Sequence, residues 1–480
     1  MIFADLLFIY VFLPLCLAAY FIARSTKAKN IVLVVFSLIF YAWGEPIKIA
    51  LFVVSALINY ALARGIDKYR GNGKSKLFLI LALVYNIGML GVFKYTDFVI
   101  GNINSVSNLV NSLFGSSIPE IPLQHIALPL GISFYTFQVL SYIIDVYWEK
   151  VPVQRNFGKL LMYISLFPQL VAGPIVRYQT IADEIDDRKT TAEDAFEGFK
   201  RLIIGLTKKV LLANTLNLIV EGCLGEDVTN PTVLGSWIGV ISYSMYVYFD
   251  FSGYSDMAIG IGRIFGFHFD ENFKYPFICR SISEFWQRWH ISLGTFFRDY
   301  LLYVPIFGKR RATLSLFLVW FTTGLWHGAS WNFVLWGLYF GVFIFIETKI
   351  GKKRLKKIPT PIMHVYNKFV IILGFGIFYF SDMERLGRFF GNLFGAGGIQ
   401  LYDDKLLSLL STNVFILIVA VIACFPVAKL IKKLFDKTGT VLQTAAAVCL
   451  TLFLLAALFT DTTILVKTHS SNNPFLYWQF

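Results

Sequence analysis

Two histidines stand where a membrane-embedded chain has reason to keep them. His327 sits in TTGLWHGASWNFVLW (322–336), with apolar residues on both sides and the small residues Gly324, Gly328, Ala329 and Ser330 around it. Small residues let a helix break and let another backbone or a ligand come close. An imidazole with an ordinary pKa of about 6.5 on such a break is suited to taking and returning a proton in a dry site. The plainer alternative is a buried histidine satisfied by one hydrogen bond. His290 lies in EFWQRWHISL (284–293), with Trp286, Trp289, Glu284 and Arg288 nearby. Its alternative is a place in an interfacial aromatic and basic belt. The two histidines lack metal-ligand spacing and no H-E-x-x-H occurs, so no metal is expected.

A third group is YVYFDFSGYSDMAIGIGRIFG (246–266). Asp256 and Arg263 are placed to share a helix face, which suggests a buried ion pair beside Asp250. Charged groups within a bilayer cost about 2.5–3.5 kcal/mol or more near a helix centre, so each needs a reason to be there. The GIG in this stretch follows no strand, and neither a phosphate-binding loop nor a nucleophile elbow is present. The five cysteines (16, 223, 279, 424 and 449) are dispersed and form no C-x-x-C pair.

The elements that must carry these residues are membrane spans. The 480 residues are 56% hydrophobic and only 15% charged, with mean hydropathy +0.63. Soluble domains average about 25% charged residues, so lipid has to cover much of this surface. The net charge of +13 sits in short clusters between apolar runs, the pattern of cytoplasmic loops rather than of a nucleic-acid-binding face. Fourteen stretches read as candidate spans: 5–23, 31–44, 47–63, 77–94, 126–148, 159–176, 198–220, 233–250, 254–267, 312–326, 332–348, 365–380, 412–430 and 441–460. Several are short or broken by Gly and Pro, which predicts 11 to 13 true spans with re-entrant or interfacial pieces among them.

Basic clusters at 24–29, 64–76, 150–159, 309–311, 349–357 and 429–437 alternate with acidic or neutral loops, which places the basic ones in the cytoplasm. Residues 179–209 read as a helix lying on the cytoplasmic surface. Residues 282–304 are too polar to face lipid and belong at an interface or inside the protein. The chain reads as one integral membrane domain, 1–480, with 126–348 as the core that bears the motifs. From the residues alone it could be an enzyme, a transporter or a scaffold.

The longer stretches resemble the membrane-bound O-acyltransferase family, in the bacterial branch typified by the alginate O-acetyltransferase membrane subunit. The resemblance rests on FPQLVAGPIVRY (167–178), FDFSGYSDMAIGIGRIFG (249–266), NFKYPFICRSISEFWQRWHISLGTFFRDYL (272–301), GLWHGASWNFVLWG (324–337) and the ending NPFLYWQF (473–480). YVPIFGKRR (303–311) departs from the glycine-rich loop usual there.

The resemblance implies an all-α bundle around a funnel or tunnel, and transfer of an acyl group from a thioester to a hydroxyl. The family's defining histidine falls on His327 and its second position on His290. The expected reaction is acetylation of an extracellular or cell-wall polysaccharide, with acetyl-CoA as donor and no bound cofactor. His327 is the expected base, and His290 orients the donor or polarises its carbonyl. Trp286, Arg288, Trp289 and Trp326 are expected to line the substrate tunnel, with both histidines facing one cavity. The expected setting is a bacterial plasma membrane, with an extracytoplasmic transferase or the polysaccharide itself as partner. The alternatives are D-alanyl transfer to teichoic acid within the same family, or transport without chemistry.

Overall fold

A computed structural model describes residues 2–171, 173–303, 311–435, 437, 440–468 and 475. Most of the 303–311 loop, His469 and nearly all of the 473–480 ending lie outside them. Helix is the regular structure throughout. Among the described residues, eight helices are long and apolar enough to cross a membrane: Thr26–Gly44, Lys48–Lys68, Gly73–Phe114, Ala192–Leu224, Trp331–Ile350, Thr360–Tyr379, Asp404–Ala423 and Leu442–Lys467. Their outward faces carry large apolar side chains. Phe415 and Phe459 are 72% and 74% exposed, which suits lipid and not water.

The centre is a single helix, Val233–Ile264, of 32 residues, most of them buried. The stretches 233–250 and 254–267 were expected as two spans. They form one because Gly253 serves close packing rather than a break. The neighbouring run Ala192–Leu224 presents Gly198 and Gly205 to Gly260 and Gly253. A Cβ on Gly205 would stand 2.5 Å from the Gly253 carbonyl oxygen, and one on Gly253 2.7 Å from that of Gly205. Gly198 and Gly260 repeat the relation one heptad away, at 2.7 and 2.6 Å. Two backbones in contact gain dispersion attraction where lipid offers no hydrophobic drive between helices. This contact also corrects the reading of 179–209 as one surface helix. Only Tyr178–Asp186 is a short separate helix, and Ala192–Thr207 leads into the long packed run.

Charged residues on the central helix find partners across that same seam, not along the helix. Asp256 takes Arg201 at 2.8 Å and Lys208 at 2.6 Å, Asp250 takes Lys209, and Arg263 takes Asp194 at 3.1 Å. The expected Asp256–Arg263 pair does not form. Elsewhere Asn59 and Asn86 exchange side-chain hydrogen bonds at 3.2 and 2.7 Å, joining Lys48–Lys68 to the next helix.

The 159–176 stretch is not one span. Phe157–Ser165 ends at Leu166, and the four-residue helix Phe167–Leu170 follows. Gln169 is wholly buried and returns its amide to the Tyr163 carbonyl oxygen. Irregular backbone at this depth is tolerated because protein surrounds it.

The basic loops near residues 30, 70 and 155 lie together. Arg70 pairs with Glu149 at 3.1 Å, Tyr60 donates to the Arg155 carbonyl at 2.7 Å, Lys159 meets Asp186, and Arg188 donates to Asn30 at 2.7 Å. The acidic and neutral loops meet elsewhere: Asp97 accepts from the backbone of Gln124 and His125, and Glu226 pairs with Arg385.

Candidate active site

His327 is the last residue of the helix Ala312–His327. Gly328 is extended, and Ser330 precedes the next helix, Trp331–Ile350. The two helices form a hairpin whose backbones touch: Gly324 lies against the Phe333 carbonyl and Gly337 against that of Trp320. The small residues around His327 therefore serve both purposes read from the sequence, a helix break and a close approach.

A helix ending here leaves carbonyl groups without intrahelical donors. Two consecutive residues supply them. A π-helical turn, Gly91–Tyr95, inserts an extra residue and turns Lys94 and Tyr95 toward the hairpin. Tyr95 Oη donates to the Leu325 carbonyl oxygen at 2.8 Å, and Lys94 Nζ donates to that of Trp326. A cation at a helix C-terminus also complements its dipole. Neither residue was singled out from the sequence, although a lysine at the end of an apolar run was a usable signal.

The polar stretch 282–304 turns inward. Ile282–Arg288 and Ile291–Phe297 are separate short helices, and His290 sits between them at φ 45°, ψ 54°. A left-handed conformation is costly for a residue with a Cβ, by about 1–3 kcal/mol, and such strain gathers at functional sites. The segment 272–274 holds it. Lys274 N–H donates to the Arg288 carbonyl at 2.9 Å and Ile291 N–H to the Asn272 carbonyl at 3.0 Å, bracketing His290. Asn272 also receives His290 Nδ1 on its side-chain oxygen at 3.1 Å.

Trp326 brings the histidines together. Its ring centroid lies 4.9 Å from that of His327 and 5.7 Å from that of His290. All three side chains are buried, at 4%, 3% and 1% exposed. Phe134 and Phe137 close the other side of Trp326. His327 further meets Trp336 at 4.8 Å and Phe378 at 5.3 Å. From Trp336 the aromatic wall continues to Trp286 at 5.4 Å, and from there to Trp320 and Phe340. Trp289 is buried in a neighbouring group with Phe273, Phe285 and Phe375. Arg288 stands apart: it pairs with Glu284 at 2.8 Å and is part-exposed at the edge of its helix.

Beside the hairpin break lies a cavity of about 700 Å³. Lys94, Asp97, Glu221, Ser330, Asn332 and Ser381 give it polar walls, and Tyr243, Tyr246 and Phe378 apolar ones. Residues next to the acidic and neutral loops, Asp97, Ile126, Leu128 and Ser381, stand in its wall. Neither His327 nor His290, expected to face one cavity, is among its lining residues; Gly328, next in the chain, and Phe378, whose ring meets that of His327, line it instead.

A third residue absent from the sequence reading is Glu347. It is 3% exposed and accepts from the backbone of Ile282 and Ser283 at the start of the helix that leads to His290. A lone acid in FIFIETKI was its signal.

A buried histidine pair thus lies beside a polar cavity and an aromatic wall in a helical membrane protein. The chain belongs to the membrane-bound O-acyltransferase family, whose sequence profile matches residues 150–382. It is 35% identical to a probable alginate O-acetylase of Pseudomonas putida over 497 aligned positions, covering 100% of both chains. It is 33% identical to a peptidoglycan O-acetyltransferase of Helicobacter pylori, covering 84% of this chain and 81% of the relative. Identity to a teichoic acid D-alanyltransferase of Bacillus subtilis is 31%, over 55% of this chain and 71% of that one. The protein is an O-acyltransferase of the bacterial cell membrane.

Proposed function

We propose that the protein moves an acetyl group from a cytoplasmic thioester, acetyl-CoA, to hydroxyls of an extracellular or cell-wall polysaccharide, directly or through an extracytoplasmic transferase. The observation that carries this reading is the placement of His327: buried, on a helix break, beside a polar cavity whose wall includes residues next to the non-basic loops. The relatives named for acetylation of alginate and of peptidoglycan support acetyl as the group and a glycan as the acceptor.

In this reading His327 is the general base. It takes the proton of the attacking hydroxyl as the oxygen's electron pair forms the new C–O bond at the thioester carbonyl. The C–S bond then breaks, and the proton passes from the imidazolium to the leaving thiolate. His290, held against the same indole, orients the reacting groups or polarises the carbonyl. The aromatic wall from Trp326 to Trp286 excludes the water that would otherwise hydrolyse the thioester. In this reading Trp286 and Trp289 line the donor's approach.

Mass spectrometry of cell-surface glycans from cells with and without the protein tests the assignment. Loss of O-acetyl groups from a polysaccharide supports it. Loss of D-alanyl esters from teichoic acid would replace it with the other reaction of the family, and unchanged ester content would refute it.

A further inference from the structure

The hydrogen bonds around His290 determine which of its nitrogens carries the proton. Asn272 is wholly buried, and its side-chain oxygen sits among three groups: the backbone N–H of Ser292 at 3.2 Å, the Ser292 hydroxyl at 2.9 Å and His290 Nδ1 at 3.1 Å. A backbone N–H can only donate, so the atom facing it is the amide oxygen and not the NH₂ group. The NH₂ group instead donates to Ser255 Oγ at 3.1 Å.

The Ser292 hydroxyl is oriented as well. Its oxygen accepts from Ile175 N–H at 3.0 Å, within the 167–178 motif, and its one proton points to Asn272. The hydroxyl also lies 3.5 Å from His290 Nδ1, too far to compete with the 2.9 Å bond. An unprotonated Nδ1 would therefore set its lone pair against the Asn272 oxygen. A protonated one completes the network.

We infer that Asn272 is a positioning residue that fixes neutral His290 with its proton on Nδ1 and its lone pair on Nε2. This deepens the proposed function and rests on His290 belonging to the acyl-transfer site. Its consequence is a choice between the two roles open to His290. A neutral ring whose one N–H is held by Asn272 has no N–H to offer a thioester carbonyl from Nε2. It can accept a hydrogen bond there. The partner that suits it is a group bearing a hydrogen, and in this reaction that is the acceptor hydroxyl. His290 then orients the nucleophile, while His327 takes its proton. The strained backbone at residue 290 and the pair of main-chain bonds from 272–274 hold the ring in register with the Asn272 oxygen.

The direct test is ¹⁵N NMR of the full-length protein in lipid nanodiscs with ring-labelled histidine, with H290Q used to identify the His290 signals. The expected result is a protonated Nδ1 and an unprotonated Nε2. A protonated Nε2 in the neutral ring overturns the inference. A kinetic test runs beside it. N272L keeps the volume but offers no acceptor, and kcat should fall by about 10²–10⁴-fold, as when a catalytic histidine loses the group that sets its tautomer, with KM within about threefold. N272D restores an acceptor and should recover at least tenfold of that loss. N272L retaining kcat within threefold overturns the inference. If neither variant folds, the NMR measurement on the native protein decides. Full activity in H290A would instead remove His290 from the site, an outcome the NMR result does not depend on.

Discussion

Glu347 Oε2 accepts two hydrogen bonds from Ser283, one from its backbone N–H at 2.8 Å and one from its hydroxyl at 2.6 Å. Oε1 accepts from Ile282 N–H at 2.7 Å. The helix that begins at Trp331, just after His327, thus grips the start of the helix that ends just before His290. Replacing Glu347 with Gln puts an NH₂ group before a backbone donor. A buried donor left unsatisfied costs about 1–3 kcal/mol. E347Q should lower the thermal midpoint of the purified protein in nanodiscs and reduce acyl transfer, whereas a change at exposed Glu384 should do neither. Unchanged stability in E347Q would show that the contact is dispensable.

Replacing His327 with Ala should lower acyl transfer by about 10²–10⁴-fold, the range for losing a general base, with insertion and yield near normal. The measurement is ester formation by the purified protein supplied with labelled acetyl-CoA and a glycan acceptor. Retention of more than a few per cent of the activity would remove His327 from that role.

Trp336 offers an indole N–H that is buried and lacks a hydrogen-bond partner among the described residues, with its ring against His327 at 4.8 Å. Such a group costs stability unless it is used. Replacing this indole with a ring that cannot donate tests whether its N–H serves the oxygen that becomes negative when a thioester is attacked. W336F should reduce kcat on the order of 10²-fold and leave KM nearly unchanged. An equal rise in KM with kcat preserved would mean that the indole only packs against the substrate.

Single cysteines introduced in 98–120 and 385–405 should react with an impermeant maleimide on intact cells. Those in 66–76 and 350–358 should react only after permeabilisation. The reversed pattern would turn the cavity of about 700 Å³ toward the cytoplasm and make it the donor entrance.

The residues most legible in the sequence were those whose type conflicts with their surroundings. His327 in an apolar hairpin and His290 among tryptophans were visible for that reason, and the structure brings both to Trp326. Partners were harder to read than the residues themselves. Asp256 and Arg263 share a helix, yet each bonds to the 192–208 stretch, because helix packing at Gly198 and Gly205 brings those charges closer than the turn between them. Asn272 gave no local signal. Its function depends on a backbone strained at residue 290 and on a hydroxyl set by Ile175, and no periodicity in one segment encodes a network drawn from three. The basis for reading 254–267 as a separate span was glycine content, and in this place glycine joins two helices instead of interrupting one.

The reciprocal glycines have a mechanical consequence. Val233–Ile264 and Ala192–Leu224 meet main chain to main chain at two levels, with charge pairs stitched along the same seam. Sliding by one residue would drive a side chain into a carbonyl at both levels, so the two helices can move only as a single rod. Any breathing that admits a thioester from one side and a sugar from the other must then be hinged elsewhere. The histidine hairpin is closed in the same way, with Gly324 against the Phe333 carbonyl and Gly337 against that of Trp320, so it too moves as one body.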